Sequence, residues 1–299
     1  MASLDVFDRH RPALFGLAYR MLSSVIDAED IVQEAFLRWQ KAQEPDIRSA
    51  RAYLMTIVTR LCLDQLRLAH VQRETYTGVW LPEPLLQSPE NDPARLAEVN
   101  ESISTAFLLL LETLSPLDRA VFLLHEVFGY TFAEIATIVD RNPADCRQIG
   151  HRARQRVKQG RPRFEVKSES VEAVVQQFLD ACAGGDLSEL LALLSPDVTV
   201  SNDSGGKVSG VRNTIAGANK VARLFLGIFR KWSPPLLFQI ATVNGQPAWI
   251  GCIDEQPASV LTFDVRDGKI QAIYQVLNPD KLKGVACAAD LRADARGDG

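Results

Sequence analysis

No helix can run through residues 78–87, which read GVWLPEPLLQ. Each proline fixes φ, removes an amide donor and pushes its predecessor out of the helical region. Helical patterns lie on both sides, so this stretch divides the chain into separate helical bodies. It also carries Trp80, Leu81, Leu85 and Leu86, more apolar surface than a plain solvated spacer leaves in water. The first question is what covers it.

Three blocks lie around this connector. Residues 1–75 read as helical throughout, in DVFDRHRPALFGLAYRMLSS, DAEDIVQEAFLRWQKA and SARAYLMTIVTRLCLDQLR. In the second of these Ile31 and Ala35, and Val32, Phe36 and Trp39, recur at helical spacing. Asp27, Glu29, Asp30 and Glu34 crowd its first turns, where carboxylates complement the helix dipole. Residues 76–92 form the connector. A second helical block, 93–163, is punctuated by Asp92-Pro93, Ser115-Pro116 and Asn142-Pro143, each a capping side chain before a proline at the first helical position. Gly129 ends one helix, and Thr131 with Glu134 has the spacing of a capping box.

From 168 to 285 the texture changes. Helices at SVEAVVQQFLDACAGG and about 212–231 precede the strand-like runs PLLFQIATV, PAWIGCI, ASVLTFDV and KIQAIYQVL, with Gly245, Gln256-Pro257 and Asp267-Gly268 between them. This predicts an α+β domain, helices first and an antiparallel sheet after. Residues 286–299 are small and polar, a tail.

A chain of 299 residues has room for two or three such domains. Its net charge of −4 and pI near 5.7 exclude a uniformly basic nucleic-acid coat but not local basic patches. The five cysteines are scattered without a C-x-x-C pair, which fits a reducing compartment better than a disulfide framework. No cationic segment followed by an apolar core opens the chain, and the longest apolar run, Ala106–Leu111, is too short for a bilayer. The expectation is a cytoplasmic protein with no membrane contact.

Chemistry concentrates in TFAEIATIVDRNPADCRQIGHRARQRVK, which reads as a helix–turn–helix. Phe132, Ile135, Ala136 and Val139 give the first helix one apolar face, and Asp140-Arg141-Asn142 make the turn. Cys146, Ile149, Ala153 and Val157 pack the second helix. Arg147, Arg152, Arg154, Arg156 and Lys158 make that helix basic, suited to a major groove with arginines on phosphates. A basic solvated helix closing a bundle is the plainer alternative.

Taken together these segments resemble one family. DAEDIVQEAFLRWQKA resembles the core-polymerase-binding helix of region 2 in extracytoplasmic-function (ECF) sigma factors, and RAYLMTIVTRLCLDQLR resembles their promoter −10 helix. LSPLDRAVFLLHEVFGYTFAEIATIVD followed by CRQIGHRARQRV resembles region 4, which reads the −35 element. The resemblance covers residues 1–160. It implies that Asp27, Glu29, Asp30, Gln33 and Glu34 dock on core RNA polymerase at the β′ clamp helices, with the β flap as region 4's contact. It implies that Arg48, Ser49, Arg51, Arg60 and Arg67 serve the −10 element, where the loop EPDIRSA captures a base flipped from the melted strand. For −35 DNA it points to Thr131, Arg147, Gln148, His151, Arg152 and Arg154. The family commonly has Thr or Ser where this chain has Pro143-Ala144-Asp145-Cys146. The weight therefore falls on Arg147, Gln148 and His151, since bidentate arginine–guanine contact is the commonest specific pairing. A solvated first turn for the carboxylates and plain surface charge for the arginines remain the competing readings.

FLDACAGGDLSELLALLSPDVTVSNDSGG resembles the start of a SnoaL-like domain, the cone-shaped α+β fold also found in polyketide cyclases and ketosteroid isomerases. WLPEP, DSGGK at 203–207 and NPDKL at 278–282 match a sigma subgroup of the SigJ type, with Ser204 standing where that pattern usually has glycine. In that subgroup the extension regulates the sigma factor in cis, with no separate membrane anti-sigma partner. The resemblance therefore implies a regulatory contact between Trp80, Leu81, Pro82, Glu83, Pro84 and Leu85 on one side and Asp203, Gly205, Gly206, Lys207, Asn278, Pro279, Asp280, Lys281 and Leu282 on the other; packing of the connector on region 2 or 4 alone is the plainer alternative. The fold class expected is multidomain: two all-α sigma domains plus an α+β SnoaL-like domain.

An enzyme is not expected. All four histidines precede residue 168, no P-loop is present, and no zinc or calcium ligand set or cofactor is indicated. Asp203 is a conceivable base. Phe225, Phe229, Trp232, Phe238, Trp249 and Tyr274 either line a pocket for a small molecule or make up the core. The second hypothesis is a SnoaL-like enzyme or metabolite sensor fused to a helix–turn–helix regulator. Such a regulator has no use for DAEDIVQEAFLRW.

Overall fold

The computed structural model describes residues 4–42, 49–74, 76–86, 103–160, 168–211, 213–231 and 237–287. The chain forms two compact units: residues 1–75 with 89–161, and residues 76–88 with 162–299. Both helical regions thus share one unit, and the proline-rich connector belongs with the C-terminal domain.

In the first unit α1 (Leu4–Leu22), α2 (Val25–Lys41) and α3 (Ala50–Glu74) pack through Leu14, Leu17, Met21, Ile31, Val32, Trp39, Leu54, Met55 and Val58, all buried. The Ser24 hydroxyl caps α2 by accepting from the Asp27 amide. Then come α4 (Thr105–Glu112), α5 (Pro116–Glu126), α6 (Phe132–Val139) and α7 (Pro143–Gly160). Three caps fall where the sequence puts them, and Asp92-Pro93 lies outside the described residues. Ser115 caps α5 ahead of Pro116, Thr131 and Glu134 form a complete capping box, and Asn142 accepts from the Asp145 amide. Val139, expected on the packing face of α6, is only half-buried; Ile135, Ala136 and Ile138 carry that face.

Arginines join the two helical regions. Arg119 on α5 is buried and donates to the Met21 carbonyl at the end of α1. Arg60 on α3 donates to the Ile138 and Thr137 carbonyls at 3.0 and 3.3 Å, where the last turn of α6 presents the negative end of its dipole. Arg20 lies over the Phe128 ring and Arg51 over the Tyr130 ring, 6.0 and 5.7 Å from the centroids. Burial lowers the pKa of Arg20 to about 10.

The second unit is α+β: α8 (Ser168–Gly184), α9 (Leu187–Leu193), β1 (Leu194–Asp203), β2 (Ile215–Ala216), α10 (Ala218–Lys231), β3 (Leu237–Val243), β4 (Gln246–Ile253), β5 (Gln256–Arg266), β6 (Lys269–Val276) and a 3-10 turn at Pro279–Leu282. The sheet order is β2-β1-β6-β5-β4-β3. Three expectations need correction. The sheet is mixed, because β1 runs parallel to β6; a parallel pair needs a long crossover, which α10 and the β3–β5 meander supply. The turn between β4 and β5 is Asp254-Glu255, both at positive φ, so Gln256-Pro257 begins the next strand. Cys252 and Cys287 form a disulfide, against the reading of the cysteines as a wholly reduced set.

The core of this unit is aromatic. Trp249 is fully buried, with ring centroids of Phe178, Phe238 and Phe263 at 5.4, 5.6 and 5.1 Å. Phe225 and Phe229 belong to the same cluster. These residues fill the space between helices and sheet. Trp232 lies outside the described residues. The opposite face of β4, with Ala248, Ile250 and Cys252, is buried as well. Among the described residues no helix is long and apolar enough to cross a membrane, and no cluster of three or more His, Cys, Asp or Glu could hold a metal ion.

Candidate functional site

Four sets of side chains carry the expected chemistry. On α2 the five acidic and polar positions do not form one uniform face. Asp30 and Gln33 are exposed, whereas Glu29 pairs with Arg11 at 2.5 Å and Glu34 with Arg38 at 2.8 Å. Asp27 sits half-buried in the capped first turn. The sequence reading missed Ile26 and Leu37, which are 49% and 43% exposed. With Asp30 and Gln33 they recur every three to four residues, so the four form one solvent-facing stripe with apolar ends and a polar middle. The same helical period that identified the buried face would have found them.

On α3, Ser49 caps the first turn by accepting from the Ala52 amide. Arg48 lies outside the described residues. Arg67 pairs with Asp64 on the surface, and Arg51 and Arg60 contact the second helical region as described above. Between α2 and α3 lies a cleft of about 460 Å³ lined by Arg38, Lys41, Ala42, Tyr53, Thr56, Ile57 and Arg60. Three cations, an aromatic ring and a hydroxyl in one cleft suit a nucleotide, whose phosphate, base face and base edge each find a partner. Of these residues sequence reasoning named only Arg60.

On α7 the buried side is Cys146, Ile149, Gly150, Ala153 and Val157. Arg147, Gln148 and His151 face solvent at its N-terminal half. Arg152 bridges to Asp118 at 2.5 Å and Arg154 bridges to Glu126, both partners on α5. These two cations tie α7 to α5. Thr131 is likewise occupied: its hydroxyl donates to Glu134 and accepts from the Glu134 amide, which also holds the Glu134 carboxyl below the usual range.

The fourth set answers the opening question. The connector lies in a clasp made by the end of β1 and the segment after β6. Asp203 is fully buried, and both its oxygens are taken. Oδ1 accepts from the Tyr76 hydroxyl at 2.5 Å and the Gly205 amide at 3.1 Å; Oδ2 accepts from the Leu81 amide at 2.9 Å and Lys281 Nζ at 2.7 Å. Lys281 also donates to the Leu81 carbonyl at 2.5 Å and sits 3.9 Å above the Trp80 ring. The Asn278 amide donates to the Tyr76 hydroxyl at 3.0 Å. Burial first, then the bond to Asp203, pushes the Tyr76 phenol well above its ordinary pKa.

Farther along, the Leu85 amide donates to the Asn244 side chain, the Asn244 amide donates back to the Leu85 carbonyl, and Leu86 bridges to Val243 at the β3–β4 turn. This is one step of strand addition to a sheet edge. Leu81, Pro82, Glu83 and Pro84 are buried. Gly205 and Gly206 have positive φ, and a Cβ on Gly205 would collide with the Asn278 amide, so the tight turn needs glycine there. Lys207 bonds Asp280 and holds its carboxyl below the usual range. The Pro279–Leu282 turn is capped by Asn278 and buries Leu282. Tyr76 and Asn244 are the members that sequence reasoning did not place in the clasp. Tyr76 precedes the motif that drew attention, and Asn244 reads as a turn residue.

Comparison with known proteins gives the same division. The Sigma-70 region 2 family matches residues 6–70 and the Sigma-70 region 4 family matches residues 104–157. The ECF RNA polymerase sigma factor SigJ of Mycobacterium tuberculosis is 39% identical over 291 residues, 93% of this chain and 92% of that protein. The probable ECF RNA polymerase sigma factor SigI of the same organism is 35% identical over 276 residues, 91% of this chain and 92% of that one. The crystal structure of M. tuberculosis SigJ superposes with a TM-score of 0.77 at 37% identity, covering 94% of this chain and 98% of that one.

Proposed function

This chain belongs to the extracytoplasmic-function RNA polymerase sigma factors, and from that membership we propose how its surfaces divide the work of promoter recognition. As a sigma factor it binds core RNA polymerase and promoter DNA and is a transcription regulator, not an enzyme. The stripe of Ile26, Asp30, Gln33 and Leu37 on α2 is the centre of the core-docking face toward the β′ clamp helices, its exposed apolar ends supplying anchors and its polar middle the register. Region 4 supplies the contact with the β flap. The cleft of Arg38, Lys41, Tyr53, Thr56 and Arg60 receives the −10 strand, and Arg147, Gln148 and His151 on α7 read the −35 duplex.

The observation that carries this reading is that both sigma regions occur in order in one chain whose relatives match it over nearly their whole length. A repressor needs α6 and α7 but gives the α2 stripe no role. A catalytic role for Asp203 finds no support, because its four acceptor positions are filled by Tyr76, Gly205, Leu81 and Lys281. The clasp on the connector is the regulatory element: by holding residues 76–86 the C-terminal domain governs the segment that joins region 2 to region 4.

Run-off transcription with purified core polymerase tests this, comparing the full chain with one lacking residues 168–299. Promoter-dependent transcript is expected, and the ratio between the two gives the sign of control in cis. No transcript from either, with no co-elution with core, would overturn the reading. A finer prediction concerns α7. Arg147→Ala is expected to weaken binding to a −35 duplex by about 1–3 kcal/mol and to relax the preference at one base pair. Arg152→Ala should instead loosen the packing of α7 on α5, since its partner Asp118 is buried. Anisotropy titrations on matched and single-substituted duplexes separate the two outcomes.

A further inference from the structure

Cys252 and Cys287 are joined with their Cα atoms 6.2 Å apart. A sigma factor works beside the polymerase, where thiols are kept reduced, and disulfides that occur in such compartments are mostly transient or redox-sensing. The other three cysteines, Cys62, Cys146 and Cys182, are free and buried. Burial pushes their thiols up, that of Cys182 to about 12, which leaves them poor nucleophiles.

The position of the bond gives it meaning. Cys252 lies on β4 beside Ile250, on the sheet face away from the aromatic core. Cys287 is half-buried, five residues beyond Leu282. The segment from Asn278 to Cys287 starts inside the connector clasp, with Asn278 on Tyr76 and Lys281 on Asp203, the Leu81 carbonyl and Trp80. At its far end the Gln239 side chain donates to the Ala286 carbonyl at 3.0 Å, and the disulfide ties the next residue to β4. The bond thus anchors the short segment that carries Lys281.

We propose that Cys252 and Cys287 are a redox-responsive pair whose bond fastens the 278–287 segment and tightens the hold of the C-terminal domain on the connector. This deepens the regulatory reading of the clasp and rests on it for any effect on transcription. The step is thiol–disulfide exchange with a low-molecular-weight disulfide. The Cys287 thiolate, the accessible partner, attacks one sulfur of oxidised glutathione, forms a mixed disulfide and releases one glutathione thiolate. The Cys252 thiolate then displaces the second, closing Cys252–Cys287. Two protons leave the protein and two electrons reduce the glutathione disulfide to two thiols. Reduction reverses both exchanges and frees the segment beyond Leu282.

The experiment uses the full chain, treated with oxidised glutathione or with dithiothreitol. Thiol alkylation with mass spectrometry reads the bond, and hydrogen exchange reads the Leu81 and Leu85 amides, which donate to Asp203 and Asn244. After oxidised glutathione, Cys252 and Cys287 should resist alkylation as a linked pair. The two amides should then exchange about tenfold more slowly than in the reduced protein. Cys287→Ser, at a half-exposed site near the chain end, should keep the faster rate under both treatments. Free alkylation of both cysteines after oxidised glutathione would overturn the proposal, and so would equal amide exchange in the two redox states of the unsubstituted chain. Both readouts are made without polymerase or promoter, so failure here leaves the sigma reading standing, and a failed transcription assay leaves the redox result standing.

Discussion

Replacing Asp203 with alanine detaches the connector from the C-terminal domain. The substitution removes the carboxylate that pairs with Lys281, whose side chain is 13% exposed, and takes from the Leu81 amide and the Tyr76 hydroxyl the oxygens they donate to. Breaking one side of a buried ion pair costs about 3–5 kcal/mol, because the remaining charge stays uncompensated. That is a large share of the roughly 5–15 kcal/mol that keeps a typical domain folded. The Trp80 ring loses the fixed cation above it, so its fluorescence should report the change. In a urea titration the midpoint should fall, with the Leu81 amide losing protection first. Asp203→Asn keeps an acceptor but no charge, and should fall between alanine and the unsubstituted chain. An unchanged midpoint together with a protected Leu81 amide would show that the clasp is held elsewhere.

Trp249→Ala should be comparably severe for a different reason. The indole is fully buried and is surrounded by Phe178, Phe229, Phe238 and Phe263, with centroids 5.1 to 6.4 Å away. Truncating a packed tryptophan leaves a cavity and costs about 3–5 kcal/mol. For a unit of this size each kcal/mol shifts Tm by about 2–4 °C, so a fall of about 10 °C is expected in a thermal melt. Had these rings lined an open ligand pocket, the same truncation would enlarge existing space and barely move the melt. The indole N–H has no hydrogen-bond partner among the described residues. Trp249→Phe, which removes that orphan donor and keeps most of the ring, should therefore lose much less than the alanine variant.

The helical half of this chain was legible because its punctuation is local. Ser115, Thr131 and Asn142 sit one residue before their helices and cap them through hydrogen bonds that span three residues. The connector motif was also legible, since two prolines beside a tryptophan and three leucines demand a cover. The partners Asp203 and Lys281 followed from resemblance, not from spacing, because 122 residues separate Asp203 from Leu81. Asn244 could not be found that way. Its sequence setting says only turn, and its side chain acquires a role from what folds against it.

The parallel pairing of β1 with β6 was missed for the same reason: it joins segments about 70 residues apart with no turn between them to announce it. The α7 arginines show the converse. Charge density along the helix counts every arginine alike, whereas the presence of Asp118 and Glu126 on α5 decides how Arg152 and Arg154 are paired in the free protein.

Arg60 binds two uncharged carbonyl groups, those of Thr137 and Ile138, from the wall of the cleft proposed for the −10 strand. The two possible uses of that guanidinium respond differently to ionic strength. Its bonds to backbone carbonyls are short-range and displace few ions, whereas a phosphate contact releases condensed counterions and weakens linearly with the logarithm of salt, with a slope near −0.7 per contact on a single strand. Added salt should therefore cost a phosphate contact made by Arg60 more than it costs these two carbonyl bonds.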